Sequence, residues 1–113
     1  MFKIEPKTNN VVLTKGDTAT MFVQIFDLDN KEYEILPTDT ITLTIKIPYT
    51  NQVVLTKQAT HDHYIIINHE DTSELPVRDY VYDVQLSTQE GFVYTIIPCA
   101  NFSLTCEVTI WEN

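Results

Sequence analysis

Apolar and polar residues alternate with a period of two along most of this chain, and helical periodicity is nearly absent. Over residues 40–47, Ile41, Leu43, Ile45 and Ile47 share one face while Thr40, Thr42, Thr44 and Lys46 share the other. Side chains alternate across a strand, so this segment predicts a half-buried strand with a β-branched outer face. Over 80–86 the pattern returns, with Tyr80, Tyr82, Val84 and Leu86 inward and Val81, Asp83 and Gln85 outward. A last strand sets Phe102, Leu104, Cys106, Val108 and Ile110 against Ser103, Thr105, Glu107 and Thr109, which makes Cys106 a small buried hydrophobe.

Shorter strands are predicted at 11–14, 18–26, 53–56, 64–67 and 92–97. In the second of these Ala19, Met21, Val23 and Ile25 turn inward, leaving Phe22 and Phe26 on the opposite side, where Phe22 calls for cover from a partner. Turn chemistry separates the strands at Lys15-Gly16-Asp17, Asp29-Asn30, 36–39, 48–51 and Gln89-Glu90-Gly91. Asp71-Thr72-Ser73-Glu74 carries the N-cap pattern of one short helical turn near 71–75, stopped by Pro76. The approach from Leu75 to Tyr80 reads as a tyrosine corner, in which a Tyr opening a strand sends its hydroxyl back to a backbone group upstream. Seven or eight short strands at this spacing predict an all-β antiparallel sandwich.

A chain of 113 residues with 43% hydrophobic and 20% charged residues is long enough for one core, so a single domain over 1–113 is expected. Sixteen acidic residues against seven basic ones give a formal charge of −9, which repels phosphate backbones and disfavours nucleic acid as a partner. The first ten residues hold no apolar run of signal-peptide length, and no segment reaches the ~18 apolar residues of a membrane helix. The expectation is a soluble chain, neither exported by its own signal nor inserted in a membrane. Cys99 and Cys106, seven positions apart on extended chain, are too far apart to bridge and are expected to be reduced thiols, as in a protein assembled in the cytoplasm.

Candidate chemistry is sparse. His61-Asp62-His63 places two imidazoles on one side of an edge, yet the nearest further carboxylates, Glu70 and Asp71, fall in a turn, so no metal site is expected. The segment 27–32 offers alternating oxygens but lacks the central Gly and distal Glu of a calcium loop, and reads as a hairpin turn with solvated acids. Ser73, Ser87 and Ser103 have no elbow glycines, and two glycines in the whole chain cannot build a phosphate cradle. Asp79 and Asp83 share the polar face of a solvated strand. The expectation is therefore a chain without catalytic residues or cofactor, with a small-molecule ligand disfavoured. Exposed aromatics remain as candidates: Tyr33, Tyr49, Phe92, Tyr94 and Trp111, of which Tyr94 and Trp111 join Phe22 as candidate interface residues.

Several elements, in order, resemble the N-terminal domain of phage baseplate upper proteins and related minor tail structural proteins of siphophages. The likeness begins at Gly16-Asp17-Thr18 and continues through a turn at 27–30, with Asn30 where the family has Gly. It is most specific at Asp71-Thr72, Leu75, Tyr80-Val81-Tyr82-Asp83-Val84-Gln85-Leu86, Gly91 and Thr95-Ile96, and it extends to Phe102 and Val108-Thr109. Arg78-Asp79 and Ala100-Asn101 stand where the family has Gly and imply altered turns. The resemblance implies an immunoglobulin-like β-sandwich and a non-catalytic virion role. Such a tail or baseplate module would be assembled in the bacterial cytoplasm, dock on other tail proteins as a homo-oligomer and help present receptor-binding proteins. Gly16, Asp17, Leu75, Tyr80, Tyr82 and Gly91 would be its structural positions. A carbohydrate-binding or adhesin-like sandwich module is the alternative that the outer aromatics raise.

Overall fold

The computed structural model describes residues 2–4, 7–27 and 29–106. They form an all-β fold of ten strands and one five-residue helix, more strands than the seven or eight expected. In chain order these are β1 (Phe2–Ile4), β2 (Val11–Thr14), β3 (Ala19–Phe22), β4 (Ile25–Phe26), β5 (Glu32–Tyr33), β6 (Thr40–Lys46), β7 (Val53–Gln58), β8 (Tyr64–Ile67), α1 (His69–Ser73), β9 (Arg78–Ser87) and β10 (Val93–Thr105).

Six strands make one sheet in the order β1-β2-β10-β9-β6-β7, a second sheet pairs β3 with β8, and β4-β5 is a two-residue ribbon. Period-two alternation decides which face is covered. Ile41, Leu43 and Ile45 of β6, Tyr80, Tyr82, Val84 and Leu86 of β9, and Phe102 and Leu104 of β10 are buried together with Ala19, Met21, Ile65 and Ile67 from the smaller sheet. The buried side chains of both sheets thus form one core.

Several expectations are corrected. The ladders are antiparallel except one: β2 runs parallel to β10, with Val11 opposite Phe102 and Leu13 opposite Leu104. The predicted strands at 92–97 and from 102 onward are a single strand, because bulges between Thr95 and Ile97 and between Ile97 and Ala100 absorb the extra residues and let pairing with β9 resume. The segment 18–26 breaks into β3 and β4, and Val23 and Ile25 are only half-buried. Cys106 is exposed rather than buried, since β10 ends at Thr105 and its inward alternation stops with Leu104; Cys99 is also a free, exposed thiol. The remainder of the predicted last strand, 107–110, and Trp111 lie outside the described residues.

The helix begins earlier than its sequence pattern indicated. Asn68 is the N-cap, and Asp71, expected to start the turn, occupies its third position, where its carboxylate accepts the Asn68 N–H at 2.7 Å. Burial works against the Asp71 charge, but the hydrogen bonds from Lys57, at 2.9 Å, and from the Asn68 N–H prevail and hold the carboxyl below its usual range. That pair ties β7 to α1. Thr72, fully buried, accepts the Gly16 N–H at 3.0 Å and ties the β2–β3 turn to the same helix. Gly16, at φ +88°, supplies a backbone conformation that other residues rarely adopt.

Two buried tyrosines lock the large sheet to its surroundings. The Tyr80 hydroxyl donates to the Pro76 carbonyl at 2.7 Å, the expected corner closed four residues upstream. The Tyr82 hydroxyl donates to the Asn9 carbonyl at 2.6 Å, fastening the β1–β2 turn to β9. Burial pushes the Tyr82 hydroxyl up to about 12 and raises that of Tyr80 as well.

Candidate interaction surface

The residues read as possible chemistry do not converge. Among the described residues no group of three His, Cys, Asp or Glu side chains is placed to hold a metal ion. His61 is exposed and contacts its own neighbour Asp62, and His63 sits at φ +70° in the turn before β8. The Asp27 carboxylate accepts the backbone N–H groups of Asp29 and Lys31, both at 2.9 Å, so it caps the β4–β5 hairpin. Asp79 accepts the Ser103 hydroxyl at 2.8 Å across the β9–β10 ladder. Tyr33 is half-buried rather than free: its hydroxyl donates to Asp39 Oδ2 at 2.6 Å. That bond to a carboxylate is the main reason its own titration is pushed up to about 12. The same Asp39 oxygen accepts the Leu36 N–H at 2.9 Å, closing the loop before β6.

What the structure does gather is apolar surface along one flank. Phe92, just before β10, and Val93 and Tyr94, its first two residues, are 60%, 57% and 55% exposed. Val93 and Tyr94 point to opposite faces, so both faces of this segment are bare. The Phe92 and Tyr94 rings lie 6.4 Å apart at the tip of the β9–β10 hairpin, where Gly91, at φ +95°, makes the turn. Phe22, at the end of β3, is 54% exposed, and its ring lies tilted against that of Tyr64 of β8 with centroids 5.1 Å apart. Phe22 and Tyr94, two of the candidate interface residues, are thus both exposed. Val93 escaped notice because an isolated Val carries no surface signal.

Two geometric features accompany this flank. First, β2 covers the outer edge of β10 only from Phe102 to Thr105, and Asn10 Oδ1 accepts the Asn101 N–H at 3.0 Å. No described strand pairs with that edge over 93–97. Second, an apolar groove of about 280 Å³ lies between the sheets, with Phe2, Ile4, Ile96 and Ile97 on one side and Met21 and Phe22 on the other. All five residues 20–24 line it, of both strand parities, so its wall is the edge of β3, whose one partner among the described strands is β8. Among the described residues no charged side chain lines this groove. An open strand edge beside bare apolar side chains is suited to pairing with another extended chain.

No family model, no curated protein and no solved structure matches this chain.

Proposed function

We propose that this chain is a virion structural module of a phage or prophage tail or baseplate, non-catalytic, docking on other tail proteins as a homo-oligomer and helping to present receptor-binding proteins. The observation that carries the reading is the ordered motif set of Gly16-Asp17-Thr18, Asp71-Thr72, Tyr80 to Leu86 and Gly91 on an all-β fold. In the same reading the two sheets form an immunoglobulin-like sandwich. Tyr80 near the start of β9, with its hydroxyl on the backbone just upstream, corresponds to the tyrosine corner of that fold. The order β10-β9-β6-β7 facing β3-β8 corresponds to its two layers. Bare aromatic side chains beside an open strand edge support a role in holding other proteins.

The test is to recover particles after induction of the encoding bacterium and locate the chain by mass spectrometry and immunogold labelling. The chain is expected in purified particles at the tail tip. Expression in the cell with absence from every particle fraction would remove the proposal. The exposed Phe92–Tyr94 pair favours one second reading, a glycan platform, and glycan-array binding abolished by Tyr94→Ala would support it.

A further inference from the structure

We propose that the bare edge of β10 is a self-association surface, on which a second copy of this chain pairs antiparallel across a two-fold axis along residues 92–97. This deepens the homo-oligomeric part of the proposed function by naming its contact.

Charge selects the occupant. The chain carries −9, yet the sixteen consecutive residues from Gly91 to Cys106 include no charged side chain, the longest such run in the sequence. Two copies that repel elsewhere can meet on this strip without bringing like charges into contact. A basic partner drawn by the acidic surface would find no carboxylate in the strand itself. The complement of an uncharged, β-branched and aromatic strand edge is another of the same kind.

The segment Phe92-Val93-Tyr94-Thr95-Ile96-Ile97 combines high β-propensity, strong hydrophobicity and no charge, a composition prone to open-ended strand addition when left on an edge. Pro98, which has no N–H, and the bulge between Ile97 and Ala100 end the usable edge, and the bulge between Thr95 and Ile97 lies within it. A two-fold contact closes after two copies, because the same patch serves both sides. Tyr94 is opposite Leu86 in the ladder and so belongs to the inner face, the face that floors the groove.

Sedimentation velocity of the full chain over a range of concentrations tests this, with Val93→Lys and Tyr94→Lys as variants and Tyr49→Lys as control. Both target side chains are more than half exposed, and Tyr49 is a fully exposed turn residue on a different loop. Circular dichroism verifies that each variant folds. A concentration-dependent dimer is expected, weakened about tenfold or more by either charge at 93 or 94 and unaltered by the control. Raising salt, which shortens the Debye length from ~30 Å at 0.01 M to ~8 Å at 0.15 M, should tighten it, because the chains repel; a contact with a basic partner would loosen instead. Amide exchange over 93–97 should slow as concentration rises. A monomer at every concentration, or a dimer indifferent to both lysines, overturns the proposal. Particles containing a chain that stays monomeric would sink this contact alone, whereas a dimer absent from particles would sink the virion role alone.

Discussion

Replacing Tyr82 by Phe removes one oxygen from the centre of the large sheet, and the geometry around that oxygen sets the size of the loss. The lost group is the donor of a 2.6 Å hydrogen bond to the Asn9 carbonyl, from a side chain that is 2% exposed. Asn9 is half-buried and held at φ +61° in the turn between β1 and β2, so its carbonyl loses a partner that water replaces poorly. Losing such a bond should cost about 1–2 kcal/mol, which for a domain of this size lowers the melting midpoint by roughly 4–8 °C. The ring stays, so packing against Phe102, whose centroid is 5.9 Å away, is kept.

The same hydroxyl writes a signature in alkali. Its titration is pushed up to about 12 in the folded chain by burial, against about 10 when unfolded. A raised folded value means that the unfolded chain gives up its proton first, so the stabilisation is complete below about pH 10 and declines as pH rises toward 12. The full difference is about 2–3 kcal/mol. Tyr33 and Tyr80 contribute alkaline slopes in the same direction, and they remain in the variant. Urea unfolding of parent and Tyr82→Phe at about pH 8 and about pH 11 separates the effects. The variant should be weaker at the lower pH and lose less on going to the higher one. Equal midpoints near neutrality, or parallel alkaline declines, would refute the reasoning.

Other perturbations test the ties around α1. Thr72→Val keeps the shape but leaves the Gly16 N–H without its acceptor, and should cost about 1–2 kcal/mol in urea unfolding. Thr72→Ser keeps the oxygen and should cost less. Asp71→Asn removes the carboxylate that holds Lys57 and the Asn68 N–H, with an expected loss of about 1 kcal/mol near neutral pH. Because the folded carboxyl titrates below its unfolded value, its contribution is present above that unfolded value and disappears as pH falls through the folded one. Acid unfolding curves of parent and Asp71→Asn should therefore converge toward low pH.

The elements legible in the sequence are those specified locally. Alternation in 40–47 and 80–86 set both strand and buried face. The chemistry of 75–80 set the Tyr80 corner, and β2 and β8 fell at the predicted residues. What escaped depends on distant partners. Nothing near Val11 says that it will lie beside Phe102 in parallel, and that register decides how little of the β10 edge is covered. The bulges through Ile97 and Pro98 look like a break in sequence, although pairing with β9 carries the strand across them. The Tyr82 bond to Asn9 spans 73 positions and leaves no local mark. Within the candidate surface, Phe22, Phe92 and Tyr94 were visible as unplaced aromatics. The groove beside β3 was not, because it exists only between sheets.

The parallel pairing of β2 with the end of β10 also sets a timetable for biosynthesis. Val11 and Leu13 emerge from the ribosome roughly ninety residues ahead of their neighbours Phe102 and Leu104. At a translation speed of ~5–20 residues per second, that is a wait of several seconds with the early strand lacking its lateral support. Closure of the large sheet thus waits for Phe102 and Leu104, and a nascent chain arrested before Phe102 should remain open to proteases and chaperones.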